Sequence, residues 1–395
     1  MSDLITSRAE LQALIAERQR LLDVTVQGVD LSRADLTDVV FAGVSFEGCS
    51  LAGATLVAAR FHECTFGMVD LRGADLTGAL LAEADLSSCA LSEARLTGAN
   101  LAGVSLRGVD LTHADLADAE LAVADLSGAT LDSANLSDAE LVGARLTGTR
   151  LDRASFVDAT LSECDLSGAI FTGADLSGVN LIGATTDGTD LSGADLTGAD
   201  LDGVDLSKTR LSGANLTRCS LVGAILARAD LSRCVMIDVD LSRADLSRAR
   251  LDEAEATQAQ LVGARLANAS LLKIAARAAD LSGADLTQAD LRGADLRGAQ
   301  LRGCTALKAN FNLSRMEGVQ LDGGDARGAT FDHCDLKYAI FDFANLGLAS
   351  FTNASLRSVS VHRADLTGWK TNGADLRDLR RTDKDRAKAE DFTAG

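Results

Sequence analysis

The chain has 395 residues, no proline, 4% aromatic residues and 47% apolar residues, mostly Leu and Ala. A globular core of this size draws on more Phe, Tyr and Trp, so a set of ordinary globular domains fits poorly. The formal net charge of −19 argues against free nucleic acid as a ligand, because phosphate binding needs clustered Lys and Arg, and makes basic protein surfaces the natural partners.

The N-terminus shows no charged-then-apolar-then-small signal sequence. No stretch approaches the roughly 18 uncharged apolar residues that a membrane span needs. The expectation is a cytoplasmic protein with no membrane segment. Residues 1–23 read as a helical cap. Ser7 and Glu10 fit a capping box, and Leu11, Leu14, Ile15, Leu21 and Leu22 follow helical spacing.

From Val26 onward one register holds to Leu376 without insertion: every fifth residue is a centre, and 61 of the 71 centres are Leu or Phe. Two residues before each centre, 69 of 71 positions hold Ala, Val, Cys, Thr, Ser or Gly, with Ile274 and Trp369 the exceptions. Centre and minus-two residues alternate like one face of a strand and point inward, and the residue between them points out. Of 36 glycines, 32 stand two residues after a centre, where a turn with positive φ wants them. A five-residue spacing makes no stripe on a 3.6-residue helix.

This pattern, small–Asp/Asn–Leu/Phe–Ser/Thr/Arg–Gly from Val24 to Leu376, resembles the pentapeptide-repeat family. The resemblance implies an all-β fold, a right-handed four-sided parallel β-helix (a solenoid) with four pentapeptides per coil. About 17–18 coils at ~4.8 Å give a rod ~85 Å long. The expected domains are the cap 1–23, the β-helix 24–376 and a charged tail 377–395.

All eight cysteines, Cys49, Cys64, Cys89, Cys164, Cys219, Cys234, Cys304 and Cys334, fall in the small inward slot. They read as buried small hydrophobes rather than a disulfide or zinc framework. His62, His113, His333 and His362 lie outside those slots and do not cluster. No metal spacing, nucleophile motif or cofactor-binding loop rises above the repeat, so the reading is of a non-enzyme without cofactor.

Residues 20 apart stack from coil to coil. Along one side Asp85, Asp125, Asp165, Asp205, Asp245, Asp285, Asp325 and Asp365 recur every 40 residues. No two stack directly, which reads as avoidance of a carboxylate repulsion of ~1 kcal/mol per contact. Val142, Ile182, Val222 and Val262 recur with the same beat along one edge, a candidate lateral ridge.

Phenylalanines are expected to stack near the ends: Phe41 over Phe61, Phe46 over Phe66, and Phe311, Phe331 and Phe351. Trp369 in a small slot suggests that the bore closes. Gly324 with Ala326 predicts a void or bent coil at 324–326. Leu313, Tyr338, Ile340, Phe343 and Leu348 turn outward positions apolar near the C-terminus and form a candidate interface, unless the cap or tail folds over them.

The function expected is an acidic, rod-like protein–protein interaction scaffold. Its partner would be a protein, with no direct nucleic acid or membrane binding, and a homodimer through the C-terminal end is a further expectation. The alternative, implied by the resemblance, is a DNA-mimicking binder of DNA gyrase that protects it from poisons. Spread over the whole coil, the charge amounts to one per ~4.5 Å, against one per ~1.7 Å in duplex DNA.

Overall fold

The computed structural model describes residues 3–393. The chain forms two compact units, Met1–Asp200 and Leu201–Gly395, and each is a right-handed, four-sided parallel β-helix. Within each unit parallel bridges join residue i to residue i+20, for example Asp75 to Arg95 and Arg95 to Asp115, or Asp245 to Arg265 and Arg265 to Asp285. The sides are numbered here from the pentapeptides beginning at residues 24, 29, 34 and 39.

Residues 74–78 show how five residues close one side. The amide of Ala74 donates to Leu71 O (3.0 Å) across the turn, Asp75 to Ala54 O (2.9 Å) in the coil before, and Leu76 and Gly78 to Arg95 O (2.6 Å) and Thr97 O (2.9 Å) in the coil after. Four of five amides are thus paired by backbone. The fifth, Thr77 N–H, donates to Asp75 Oδ1 at 3.1 Å. The corner, two residues after a centre, is left-handed at glycine and at most other residues alike. All 32 corner glycines have positive φ, and so do residues such as Asp118, Val123 and Tyr338. Glycine is the unstrained occupant, and a β-branched residue such as Val123 is the costly one.

The centre leucines fill the bore and are almost all fully buried, each contributing about 1.5–3 kcal/mol of burial. The expected phenylalanine ladders are present: Phe41 stacks on Phe61 at 4.9 Å, Phe46 on Phe66 at 5.6 Å, and Phe331 lies 4.8 Å from both Phe311 and Phe351.

The cap differs from the sequence expectation. It holds strand β1 (Asp3–Ile5), helix α1 (Arg8–Arg18) and strand β2 (Arg20–Leu22). β1 pairs with β3 (Val24–Gln27) and β2 with β4 (Val40–Ala42), both parallel, so the stack already begins inside the cap. The wider strands continue with β5 (Ser45–Glu47), β6 (Arg60–His62) and β7 (Thr65–Gly67). Leu21 and Leu22 therefore lie on a strand, which turns Leu21 inward and Leu22 outward. Ser7 stands at the N-cap but makes no side-chain capping bond, so the capping box does not form. Leu11 of α1 is fully buried with Ile5.

The coil at 324–326 is neither void nor bent. Its ladder is unbroken, with Asp325 N–H on Cys304 O (2.9 Å) and Ala326 N–H on Asn345 O (2.8 Å). A Cβ on Gly324 would lie 2.7 Å from Leu321 Cδ2: the leucine before the corner already fills the space that the glycine leaves.

Candidate interaction surfaces

The structure gives the aspartate ladder a role the spacing argument missed. Oδ1 of Asp85, Asp125, Asp165, Asp205, Asp245, Asp285, Asp325 and Asp365 each accepts the amide two residues on, at 2.9–3.3 Å. The side chain pairs the one amide that the backbone leaves over, an Asx turn repeated along the coil. Asparagine does the same, as at Asn135 with Ser137 (3.2 Å). At some Ser positions an Asp one coil earlier takes over: beside Ser270 Asp252 accepts Leu272 N–H (3.1 Å), and beside Ser350 Asp332 accepts Thr352 N–H (2.8 Å).

These bonds hold the carboxyls below the usual range: Asp85 through Ser87, Asp165 through Ser167, Asp205 through Ser207, Asp325 through Arg327 and Asp365 through Thr367. Burial works against this at Asp125, yet Ser127 and the Arg107 guanidinium, 2.8 Å away, bring it to about 2. At Asp245 burial is again outweighed, by Ser247. The register expected for the ladder holds within each unit: Arg145 lies between Asp125 and Asp165, and Arg265 between Asp245 and Asp285. Direct carboxylate stacking is tolerated elsewhere, as Glu120 on Glu140 and Asp175 on Asp195.

The ladder side is not the acidic one. Its outward positions carry ten acidic and eight basic residues. The charge is instead divided between the units: residues 1–200 hold 31 Asp and Glu against 11 Lys and Arg, a net −20, and residues 201–395 hold 26 against 27, a net +1. Within the first unit the third side alone has nine acids and one arginine, Arg95.

The C-terminal apolar residues do not form one patch. Leu313, Tyr338, Phe343 and Leu348 are exposed at four different corners, all with positive φ, and Ile340 is half-buried on the fourth side between the corners of Tyr338 and Phe343. The tail does return to this side. Helix α2 (Lys384–Thr393) begins at Asp383, whose Oδ1 accepts the amides of Asp385 and Arg386 at 2.9 and 3.1 Å. Arg386 pairs with Asp342 (3.1 Å) and Glu390 (2.8 Å). The buried His362 accepts Asp383 N–H on Nδ1 (3.1 Å), so its Nε2–H donates to Glu390 (3.1 Å). Phe343 meets the His362 ring at 5.5 Å and stays 47% exposed. α2 thus docks on a side and leaves the last coil open: Trp369 packs edge-on to Phe351 (5.8 Å) without closing the bore, and Leu376 is 36% exposed.

All eight cysteines are free, seven of them buried and Cys64 half-buried. Burial pushes the thiols up, to about 12 at Cys89, Cys164, Cys304 and Cys334. Their slot also offers a carbonyl 23 residues back: Cys164 Sγ lies 3.0 Å from Leu141 O, and Ser314 Oγ donates to Leu291 O at 2.7 Å. Among the described residues there is no cluster of His, Cys, Asp or Glu that could hold a metal ion, and no helix is long and apolar enough to cross a membrane.

The repeat is matched by two family models. One, described as "Pentapeptide repeats (8 copies)", matches overlapping segments from residue 105 to 368, and the other, "Pentapeptide repeat region", matches 39–116. Similar solved structures include HetL, a pentapeptide repeat protein involved in heterocyst differentiation regulation from the cyanobacterium Nostoc sp. strain PCC 7120. It is 31% identical over 59% of this chain and 97% of that one, with a TM-score of 0.35. Rfr23 from the cyanobacterium Cyanothece 51142 is 27% identical over 30% and 89%, with a TM-score of 0.21. QnrB1, a plasmid-mediated fluoroquinolone resistance protein, is 23% identical over 49% and 90%, with a TM-score of 0.21. No curated protein matches the chain.

Proposed function

This chain belongs to the pentapeptide-repeat family, and we propose that it is a non-enzymatic scaffold whose acidic first unit engages a basic protein surface. The segregation of charge carries this reading, −20 in residues 1–200 against +1 in residues 201–395. A field of one sign steers a complementary partner and disfavours others. A regular strand ladder presents the charges with little freedom left to lose on binding. The test is a photo-crosslinking residue at Asp138 in the first unit or at Gln288 in the second, on the full chain, at low and high salt. Partners should attach through position 138 and be lost at high salt. Equal attachment through 288, or indifference to salt, refutes the reading.

A second reading, a DNA-mimicking binder of gyrase, is favoured by one observation. Residues 24–200 carry a net −19 over a stack of ~42 Å, one charge per ~2.2 Å, close to the ~1.7 Å of duplex DNA. Averaging over both units hides this. Purified gyrase should lose supercoiling activity in the presence of the full chain and regain it as salt rises; unchanged supercoiling at low salt refutes this reading. The apolar corners Leu313, Tyr338, Phe343 and Leu348, with Ile340, are a second proposed contact, and the open last coil supports the proposed self-association at that end. Sedimentation of the wild type beside Leu376→Lys tests the latter: a wild-type monomer refutes it.

A further inference from the structure

The fourth side of the first unit combines an apolar column with carboxylates that no Lys or Arg neutralises, of which Glu120 accepts a hydrogen bond from Asn100 Nδ2 (2.7 Å). Ala82, Ala102, Ala122, Val142 and Ile182 stand at successive stacked positions, with Ser162 the one interruption. The bridges Leu80–Asn100, Asn100–Glu120, Glu120–Glu140, Glu140–Thr160 and Thr160–Asn180 set their register. Nothing in the described chain covers this face: Ile182 is 42% exposed and Val123, at the adjoining corner, 67%. Beside the column lie Glu83 and Glu163 at one corner, Asp118, Asp138 and Asp158 at the other, and Glu120 and Glu140 between, all exposed. No Lys or Arg occupies an outward position of this side or its corners from residue 78 to 183, and among the described residues none of these seven carboxylates is ion-paired. They do not serve as turn acceptors either: Glu120 and Glu140 stand where aspartate or asparagine would close the turn, and Glu83, Glu163 and the three aspartates sit at corners.

We propose that this face receives a basic amphipathic helix of a partner protein, its apolar stripe on the column from Ala82 to Ile182 and its Lys and Arg on the two rows of carboxylates. The inference rests on the scaffold reading and names its surface. Five steps of ~4.8 Å make ~24 Å, the length of about 16 helical residues at 1.5 Å each. The helical pitch of ~5.4 Å is close to the coil spacing, so one apolar anchor per turn can meet one coil. Charge complementarity selects the occupant: an acidic or neutral helix would leave seven carboxylates facing unlike-suited or like charge.

The probe is an 18-residue amidated peptide with Leu at i, i+3, i+4 and i+7 and Lys elsewhere. A peptide of the same composition with Leu spread around the helix is the control. Affinity is read by fluorescence anisotropy on the full chain, and circular dichroism checks that each variant folds. Glu120→Gln/Asp138→Asn/Glu140→Gln should weaken the amphipathic peptide about tenfold or more, and so should Val142→Ser/Ile182→Ser. Asp85→Asn/Asp125→Asn/Asp165→Asn removes the same charge from the first side while leaving its turn bonds intact, and should change affinity less than about twofold. Equal loss in the two charge variants, or equal binding of the control peptide, means general attraction to an acidic protein and overturns the proposal. Crosslinking of native partners through Asp138 would then still leave the scaffold reading standing.

Discussion

If aspartate is present in the ladder to close the turn, asparagine should replace it and alanine should not. Consider the five ladder residues of the second unit, Asp205, Asp245, Asp285, Asp325 and Asp365, each accepting the amide two residues on at 2.9–3.3 Å. Losing such a side-chain acceptor costs about 1 kcal/mol per site. In a stack whose stability is roughly a sum of neighbour terms, the five together cost about 5 kcal/mol. The alanine set should therefore unfold at clearly lower urea concentration and lose amide protection at Ser207, Ser247, Thr287, Arg327 and Thr367, while the asparagine set stays near wild type. Spacing for charge relief predicts otherwise: both sets remove five negative charges and should be neutral or stabilising alike. Coincident unfolding of the two sets refutes the turn-closing account. At Asp205, Asp245, Asp325 and Asp365, whose carboxyls are held below the usual range, the pH dependence follows with the same sign. A carboxyl held below its unfolded value contributes stability that is present above the unfolded pKa and is lost as pH falls through the folded one. Ladder stability should thus decline on acidification below the ordinary carboxylate range, and the asparagine set should flatten that decline.

Gly324→Ala should destabilise by about 1–3 kcal/mol, because its Cβ would meet Leu321 Cδ2 at 2.7 Å and Leu321 O at 3.1 Å; a melting temperature equal to wild type contradicts the packing described. Val123→Gly should stabilise by about 1 kcal/mol in urea unfolding, since Val123 holds φ 52° with a β-branched side chain, and a loss of stability would mean that its contacts outweigh the strain. The native thiols should react slowly with a thiol-specific reagent at pH 8, with Cys64 first, because seven are buried and burial pushes them up; all eight should react in denaturant, and rapid native labelling of Cys164 would refute the burial.

The repeat was legible because each pentapeptide repeats the same inward pair and the same corner with no insertion, so side, slot and register follow from residue number alone. Cysteine placement and the phenylalanine ladders followed from that register. What escaped involves contacts a one-dimensional pattern does not encode. β1 pairs with the first coil out of the 20-residue register, Ile5 on Val26, because strand pairing needs backbone geometry rather than a leucine every fifth position, whereas β2 keeps the register with Leu21 on Phe41 but reads as helix from the spacing of Leu11, Leu14 and Ile15 before it. Gly324 is compensated by Leu321 of its own coil, a matter of rotamer. Leu313, Tyr338, Ile340, Phe343 and Leu348 form one group by position in the sequence, yet spacing of five places Tyr338, Phe343 and Leu348 at successive corners that face different ways.

The turn-closing bond also changes how acidity should be read in this fold. An aspartate or asparagine before a centre closes on the one backbone amide that the strands leave unpaired, so many of the carboxylates follow from the fold and say little about a partner. The informative acids are those that close no turn. Glu120 and Glu140 occupy the outward position where aspartate would serve the backbone, and Asp118, Asp138 and Asp158 occupy corners where glycine would be unstrained. Each departs from what stability alone would choose, and they gather on one face of the unit that carries the whole net charge. The second unit keeps the same turn-closing aspartates and balances them with arginine, as where Arg277 and Arg297 both lie 2.8 Å from the Asp295 carboxylate. The two halves of one repeat therefore differ in the residues that the fold does not dictate, and recognition is to be sought among those.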